Sequence, residues 1–289
     1  MHRLIVNADD FGLTGGVNRA IVELHKAGLL TSATLMARAQ ATDEAIEIAL
    51  ATPTLGVGCH VVLVDGDPAL SATLDVPHLA DPITGRFRDS LGGFLLWLYG
   101  GRNGVRQEAA AREIEAEAAA QIGLLQKRGV RLTHIDTHKH THMFPAVLRP
   151  VLRAARKAGI GVVRNPFEPA WSLKATPGAP LVRRTEVRLL RLLQGRFRRI
   201  VAEEGLKTTE GAVGVLATGT LDAATVSSLL AAMPAGTFEL VTHPGYNDGA
   251  LAEAHTRLLA SRETEMRALG EIRQFPGVEL VSFAELSRL

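Results

Sequence analysis

The sequence has little sulfur chemistry, because Cys59 is the single cysteine among 289 residues. One cysteine excludes an intramolecular disulfide framework and is typical of a protein from a reducing compartment. The sequence also lacks the run of about 18 or more apolar residues that a membrane-spanning helix needs. Its first ten residues contain no apolar stretch long enough for a signal peptide. We therefore expect a soluble, cytoplasmic protein.

An excess of charge of one sign is absent as well, since 32 basic and 30 acidic residues leave a formal net charge of +2. This balance gives no overall attraction to nucleic acid, and no nucleic-acid-binding motif accompanies the local basic residues. Hydrophobic residues make up 46% of the chain and charged residues 21%. That composition can bury a sizeable core, and the length suits one large α/β domain.

Short apolar runs alternate with longer helical patterns along most of the chain. This alternation predicts a parallel sheet with helical crossovers, either closed as a (β/α) barrel or open and doubly wound. The predicted strands are residues 4–7, 32–36, 57–63, 132–136, 161–164, 237–242 and 278–282. The predicted helices are residues 17–27, 43–51, 107–129, 146–158, 223–233 and 251–269.

Two stretches, residues 71–104 and 166–200, interrupt the alternation. The first contains the apolar patch 94–99, and the second becomes a basic amphipathic segment over residues 183–200. Neither has the pattern of a separate domain. We therefore predict one domain spanning residues 1–289, with both stretches inserted on the loop side of the barrel.

Chemically active side chains follow the predicted strands, at the edge where ligands bind in both kinds of parallel sheet. Asp9 and Asp10 end the first strand, and His60 lies near the end of the third. Successive side chains alternate in an extended strand, so a turn is needed for both carboxylates to serve one site. The alternative for the two aspartates is a polar turn cluster. The alternative for His60 is a structural histidine.

The strongest local signal is a cluster of four histidines and an aspartate within nine positions, comprising His134, Asp136, His138, His140 and His142. Neutral imidazole is the most common side-chain metal ligand, and carboxylates orient or supplement it. A surface histidine tract or an accidental polar turn is the alternative. Four of the ten histidines in one window after a buried strand favour metal binding or catalysis.

His243 follows the predicted strand 237–242 and would reach the same edge of the sheet. Two histidines and one carboxylate make a three-ligand metal site with open positions, at which an ion can activate water. A second carboxylate can then accept the proton of water, and a separate histidine can protonate a departing amine. The predicted reaction is hydrolysis of an amide.

Four separated motifs, at residues 7–12, 58–60, 134–145 and 242–246, together resemble those of the YdjC-like carbohydrate deacetylases. The resemblance runs over nearly the whole chain in the expected order. It implies a distorted (β/α) barrel related to the polysaccharide deacetylases. It also implies removal of acetyl groups from N-acetylated amino sugars.

The resemblance also implies the role of each site residue. By position, the metal ligands would be Asp10, His60 and His138, the general base Asp9 and the general acid His243. Supporting or substrate-binding roles would fall to Asp136, His140, His142 and Arg164. Arg164 would orient Asp9 or contact substrate, although a surface arginine is the alternative. The resemblance implies one magnesium ion, whereas imidazole ligands favour zinc or another transition metal.

Residues 61–66 and 85–88 resemble the hopanoid-biosynthesis-associated branch of this family, which implies an acetylglucosaminyl hopanoid lipid as substrate. A basic amphipathic helix at 183–200 can lie on the inner face of an anionic membrane, and the patch 94–99 can add a contact. The alternative is that residues 183–200 form an ordinary outer helix of the barrel with a solvated arginine face, and that the patch 94–99 belongs to the core.

Other functions stay open. They include a deacetylase of soluble chitooligosaccharides, a non-catalytic metal- or sugar-binding barrel, and a carbon–carbon lyase with the same metal ligands. A homodimer is compatible with the sequence, which does not determine the oligomeric state.

Overall fold

The computed structural model describes residues 1–100, 105–176, 178–254, 256–274 and 276–286. Residues 101–104 of the first predicted insertion and 287–289 of the predicted domain lie outside the described residues. The strands, in chain order, are β1 (His2–Phe11), β2 (Ser32–Leu35), β3 (Gly56–Val61), β4 (Ile135–Thr137), β5 (Gly211–Val213), β6 (Gly236–Thr242) and β7 (Val278–Leu280).

The strands form one parallel sheet in the order β4-β3-β2-β1-β6-β5. β1 is central: it pairs with β6 along residues 2–8 and with β2 from Asn7 onward, while β7 pairs with its first three positions. β1 is buried from Leu4 to its end, because helices cover the sheet. All carboxyl ends therefore meet at one edge, where the polar residues named above lie.

The sheet curls because two short extended segments connect its outer strands β4 and β5. Ile135 of β4 makes a parallel bridge with Val163, and Val162 makes one with Lys207. The backbone amide of Ala212 in β5 donates to the carbonyl of Phe167, which adds a further link. The predicted barrel is confirmed, and the open sheet is not what the chain forms. The predicted strand at 161–164 is present as two bridges.

The helices surround this sheet and supply the crossovers. In chain order they are α1 (Gly15–Lys26), α2 (Thr42–Ala51), α3 (Leu91–Tyr99), α4 (Val105–Lys127), α5 (Pro145–Lys157), α6 (Ala170–Ala175), α7 (Leu181–Leu190), α8 (Gln194–Glu203), α9 (Ala223–Ala232), α10 (Gly249–Glu253), α11 (Ala260–Ala268) and α12 (Phe283–Leu286). Short 3₁₀ turns occupy His138–Met143, Arg191–Leu193 and Leu269–Gln274. Among the described helices, none is both long and apolar enough to cross a bilayer.

Three details of the predicted elements are wrong. The helix at 251–269 is divided into α10 and α11, and the basic helix at 183–200 is divided into α7 and α8 by the turn at Arg191–Leu193. The two parts of the basic segment pack differently, because α8 buries Phe197, Ile200 and Val201 whereas α7 buries Val187. The prediction also missed the strand β5 and the helices α3, α6 and α12.

Candidate metal centre and catalytic site

A bend at the end of β1 brings two neighbouring carboxylates to one site. The β1–β2 register shifts between Ala8 and Phe11, and Asp10 has a left-handed backbone with φ +64°. Aspartate tolerates this conformation better than most residues do, and bulges of this kind are common beside active sites. Asp9 and Asp10 therefore escape the alternation of an extended strand and both face the polar centre.

Asp10, His60 and His138 present three ligand atoms to one point, although they come from separate strand ends. Asp10 Oδ1 lies 3.6 Å from His60 Nε2 and 3.5 Å from His138 Nδ1. The two imidazole nitrogens are 3.3 Å apart. Metal–ligand bonds of about 2.1 Å at tetrahedral angles separate neighbouring ligand atoms by about 3.4 Å. The spacing of these three atoms therefore fits one divalent ion.

The electrostatics of this centre also favour a cation. Burial opposes protonation of His60, yet the nearby carboxylates of Asp136, Asp9 and Asp10 raise its pKa to about 9. In the metal-free protein the field thus draws a positive charge onto His60. A divalent ion would satisfy the same excess of negative charge. Two imidazoles and one carboxylate suit zinc or another transition metal better than magnesium.

Asp136 on β4 orients the imidazole of His60. The Nδ1–H of His60 donates to Asp136 Oδ1 over 2.7 Å, which leaves Nε2 free to bind a metal. Thr34 on β2 donates to Asp136 Oδ2 over 3.3 Å. A carboxylate that holds the far nitrogen of a ligating histidine is a common support for metal sites.

Arg164 is fully buried and binds three carboxylates, so the alternative that it is a surface arginine is wrong. It donates to both oxygens of Asp9, over 2.6 and 2.9 Å, and to Glu239 Oε1 over 2.6 and 2.8 Å. It also forms an ion pair with Asp136. Burial would raise the pKa of Asp9, but the Arg164 charge holds it far below its usual range. Asp9 is therefore ionised at every physiological pH.

His243 also lies beside Asp9. Its Nε2 is 3.7 Å from Asp9 Oδ2, and its Nδ1 is 3.5 Å from Glu265 Oε2. Glu265 also accepts a hydrogen bond of 2.7 Å from the backbone amide of His243. Burial disfavours a charged imidazole, but Glu265 raises the pKa of His243 above the usual value. Glu265 thus favours the protonated form of the His243 imidazole, which lies beside the ionised carboxylate of Asp9.

Arg262 on α11 holds the oxygen of Asp10 that does not face the histidines. Its Nη2 donates to Asp10 Oδ2 over 2.6 Å, and its Nε donates to the carbonyl of Leu258. The guanidinium is fully buried. Burial would raise the pKa of Asp10, but Arg262 and His138 hold it well below its usual range. Asp10 is therefore ionised and fixed in position.

The remaining histidines of the cluster at 134–142 have different environments. His134 is buried and stacks on Phe283 with ring centroids 3.9 Å apart, and Gly58 leaves room for its ring. His142 is buried between Thr137 Oγ1, at 2.7 Å, and the carbonyl of Arg164, at 3.3 Å. His140 is half-buried in the turn after β4 and is not in the three-ligand group.

Sequence reasoning missed Glu239, Arg262 and Glu265. Glu239 had a readable signal, because a carboxylate stands in the middle of the otherwise apolar strand β6 and is fully buried. Arg262 and Glu265 had none. They lie on a helix rich in charged residues, where the sequence pattern does not distinguish a buried pair from a solvated face.

The fold and this cluster define the class of protein: a (β/α) barrel with a buried carboxylate–histidine centre at the carboxyl ends of its strands. The sequence profile of the YdjC-like protein family matches residues 3–273, and the chain belongs to this family.

Several relatives and a solved structure support this membership. A protein of Brevibacillus brevis named carbohydrate deacetylase is 33% identical over 289 residues, covering 98% of this chain and 99% of its own. A protein of the same name from Thermoanaerobacter pseudethanolicus is 29% identical over 269 residues, covering 93% and 91%. A crystal structure from Enterococcus faecalis V583, named for a proposed role in cellobiose-phosphate cleavage, superimposes with a TM-score of 0.75. It shares 26% identity and covers 99% of this chain and 98% of its own.

Proposed function

We propose that the chain is a metal-dependent carbohydrate N-deacetylase, which hydrolyses the acetamide of an acetylated amino sugar. One observation carries this proposal: the ligand group Asp10–His60–His138 lies beside a separate acid–base pair, Asp9 and His243. An amide hydrolase needs both parts, because water must be activated and the leaving amine must be protonated. The relatives named carbohydrate deacetylase support the same activity.

In the proposed mechanism each side chain has one task. A divalent ion held by Asp10, His60 and His138 would polarise the acetyl carbonyl and acidify water. Asp9, kept ionised by Arg164, accepts the proton of the attacking water. His243, whose pKa is raised by Glu265, gives a proton to the sugar nitrogen as the carbon–nitrogen bond breaks. The products are acetate and the free amino sugar.

We propose a lipid-linked amino sugar, an acetylglucosaminyl hopanoid, as the substrate, with soluble chitooligosaccharides as the second candidate. The lipid is favoured by the exposed apolar helix face described below. Acetate release from an acetylglucosaminyl hopanoid in detergent would be compared with release from N,N′-diacetylchitobiose. Faster release from chitobiose would reverse the order of the two substrates. Absence of acetate from both would favour the binding-protein or lyase alternatives.

Removal of a ligand should remove the metal. His138→Ala is expected to lower divalent-metal affinity at least about a hundredfold, since loss of a supporting group alone often costs 10–100-fold. Acetate release should fall with it. Isothermal titration with zinc and metal analysis of the purified protein measure the first effect. His78→Ala, at a histidine paired with Glu113 outside the site, is the control. Unchanged affinity in His138→Ala would contradict the ligand assignment.

The alkaline limb of the pH profile should depend on Glu265. Activity is expected to fall as pH rises through the pKa of His243, because the imidazole then loses the proton that it must donate. Since Glu265 raises that pKa, Glu265→Gln should move the alkaline limb to lower pH. The measurement is kcat/KM against pH, with Glu263→Gln on the same helix as control. An alkaline limb in the same place in both variants would exclude His243 as the acid.

A further inference from the structure

The outward face of α7 is apolar. Val187 is the buried residue of this helix, and it packs against Leu173 and Leu216. Steps of 100° per residue place Thr185 and four apolar side chains on the opposite side. These apolar side chains are strongly exposed: Leu181 is 81% exposed, Val182 72%, Leu189 61% and Leu192, in the turn after α7, 80%. Surface helices normally have the reverse pattern, with the polar face outward.

The inner side of α7 packs at the edge of the barrel that carries the site. The backbone carbonyl of Val215, just past the carboxyl end of β5, accepts a hydrogen bond from Arg183 over 3.2 Å. Leu216, the next residue, is the one that packs on Val187. The helix therefore lies beside the carboxyl ends of the strands, which also hold Asp10 and His60. A surface that docked here would approach the site edge of the barrel.

The predicted apolar patch at 94–99 lies on α3. On α3, Phe94 and Leu98 are buried while Leu96 is exposed. Tyr99 at the end of α3 packs against Phe144, which follows the turn after β4. The predicted apolar patch at 94–99 is thus part core and part exposed surface.

Basic residues accompany the apolar face. Residues 181–200 contain seven arginines and one glutamate, Glu186. Arg188 on α7 and Arg196 on α8 are exposed, whereas the Arg183 side chain donates to Val215 on the inner side of α7. Two copies of the chain that met through this face would bring both arginine sets together, and like charges oppose that contact. An anionic surface has the complementary charge.

We propose that the outward face of α7 docks on an anionic lipid bilayer, with Leu181, Val182, Leu189 and Leu192 entering the interface and the arginines contacting lipid headgroups. Apolar side chains flanked by arginine on one exposed helix are the pattern of interfacial membrane binding. The contact is peripheral and deepens the proposed function, because it would present a lipid-linked sugar to the site edge. The bilayer contact rests on the proposed deacetylase function only for its biological purpose. Its evidence is the exposed apolar face of α7 and the neighbouring arginines.

The test is co-sedimentation of the full chain with vesicles. We expect binding to vesicles of phosphatidylcholine with phosphatidylglycerol, weaker binding in 0.5 M salt, and little binding to phosphatidylcholine alone, because headgroup attraction is screened by salt. The double variant Leu189→Glu/Leu192→Glu should lose binding at least about tenfold. Arg188→Gln/Arg196→Gln should weaken it by about 25-fold at most, since each basic residue near the surface contributes about fivefold.

Leu50→Glu is the matched control, because Leu50 is an exposed leucine on α2, away from α7. It should bind vesicles like the unchanged chain. Wild-type protein that stays in the supernatant with anionic vesicles at low salt would overturn the proposal. So would a dimer in solution that Leu189→Glu/Leu192→Glu converts to monomer, because a second copy would then cover the face. Vesicle binding needs no catalysis, so its failure and the failure of deacetylation are separate results.

Discussion

Asp9→Asn is expected to reduce acetate release about a thousandfold and to leave divalent-metal affinity nearly unchanged. The carboxylate is the proposed acceptor of the proton of water, and a positioned general base typically contributes 10²–10⁴-fold. An asparagine keeps the size of the side chain and one oxygen for Arg164, so the fold should persist. Single-substrate kinetics and zinc titration measure the two effects on the same preparation.

Asp10→Asn provides the informative comparison, because it changes the adjacent residue in the same way. Asp10 faces His60 and His138 rather than His243. Its loss should therefore lower metal affinity and activity together. If Asp9→Asn instead released the metal, or kept full activity, the division of roles between the two aspartates would be wrong.

Arg164→Met is expected to have the largest effect on stability, lowering the free energy of unfolding by about 3–5 kcal/mol. The change leaves three buried carboxylates, Asp9, Asp136 and Glu239, without their shared cation. Removal of one partner from a buried ion pair costs about this much because the remaining charge is uncompensated. Chemical unfolding monitored by circular dichroism measures the change.

The pH dependence of the lost stability distinguishes uncompensated buried charge from a packing defect as the cause. Burial already raises the pKa of Glu239 to about 7, even though Arg164 opposes the rise. Without Arg164 the folded carboxylates should bind protons more readily than the unfolded ones, so the variant should recover stability as pH falls through about 7. Arg128→Met, in an exposed pair with Asp43, should cost about 1 kcal/mol or less and serves as control. An equal loss at pH 6 and pH 8 would contradict the electrostatic account.

The sequence predicted the parallel barrel and the residues that follow its strands, for one physical reason. Parallel strands end at the same edge, so Asp10, His60 and His138 could be assigned to one region without knowledge of the packing. The periodicity of the sequence could not predict closure of the barrel. The links through Val162 and Lys207 are single β-bridges, which leave no repeating pattern in the sequence. The resemblance to the YdjC-like family supplied the choice between the two folds.

The supporting charges were harder to predict than the reactive ones. Arg262 and Glu265 come from α11, more than 250 positions beyond the aspartates of β1. No short motif connects such residues, and their burial depends on how the last helices pack. The orientation of α7 was hidden for a similar reason. Its sequence is amphipathic, but periodicity alone does not tell which apolar side chains turn toward the core.

The left-handed backbone at Asp10 has a consequence for how this centre can vary. Asp9 and Asp10 are chemically identical, so their side chains cannot explain why one should meet an ion and the other a proton. In the proposed mechanism the backbone torsion at Asp10 makes that distinction, because Asp10 faces His60 and His138 while Asp9 faces Arg164 and His243. If the bend were lost, the two aspartates would still be present, but they could no longer serve separately as the proposed metal ligand and the proposed proton acceptor.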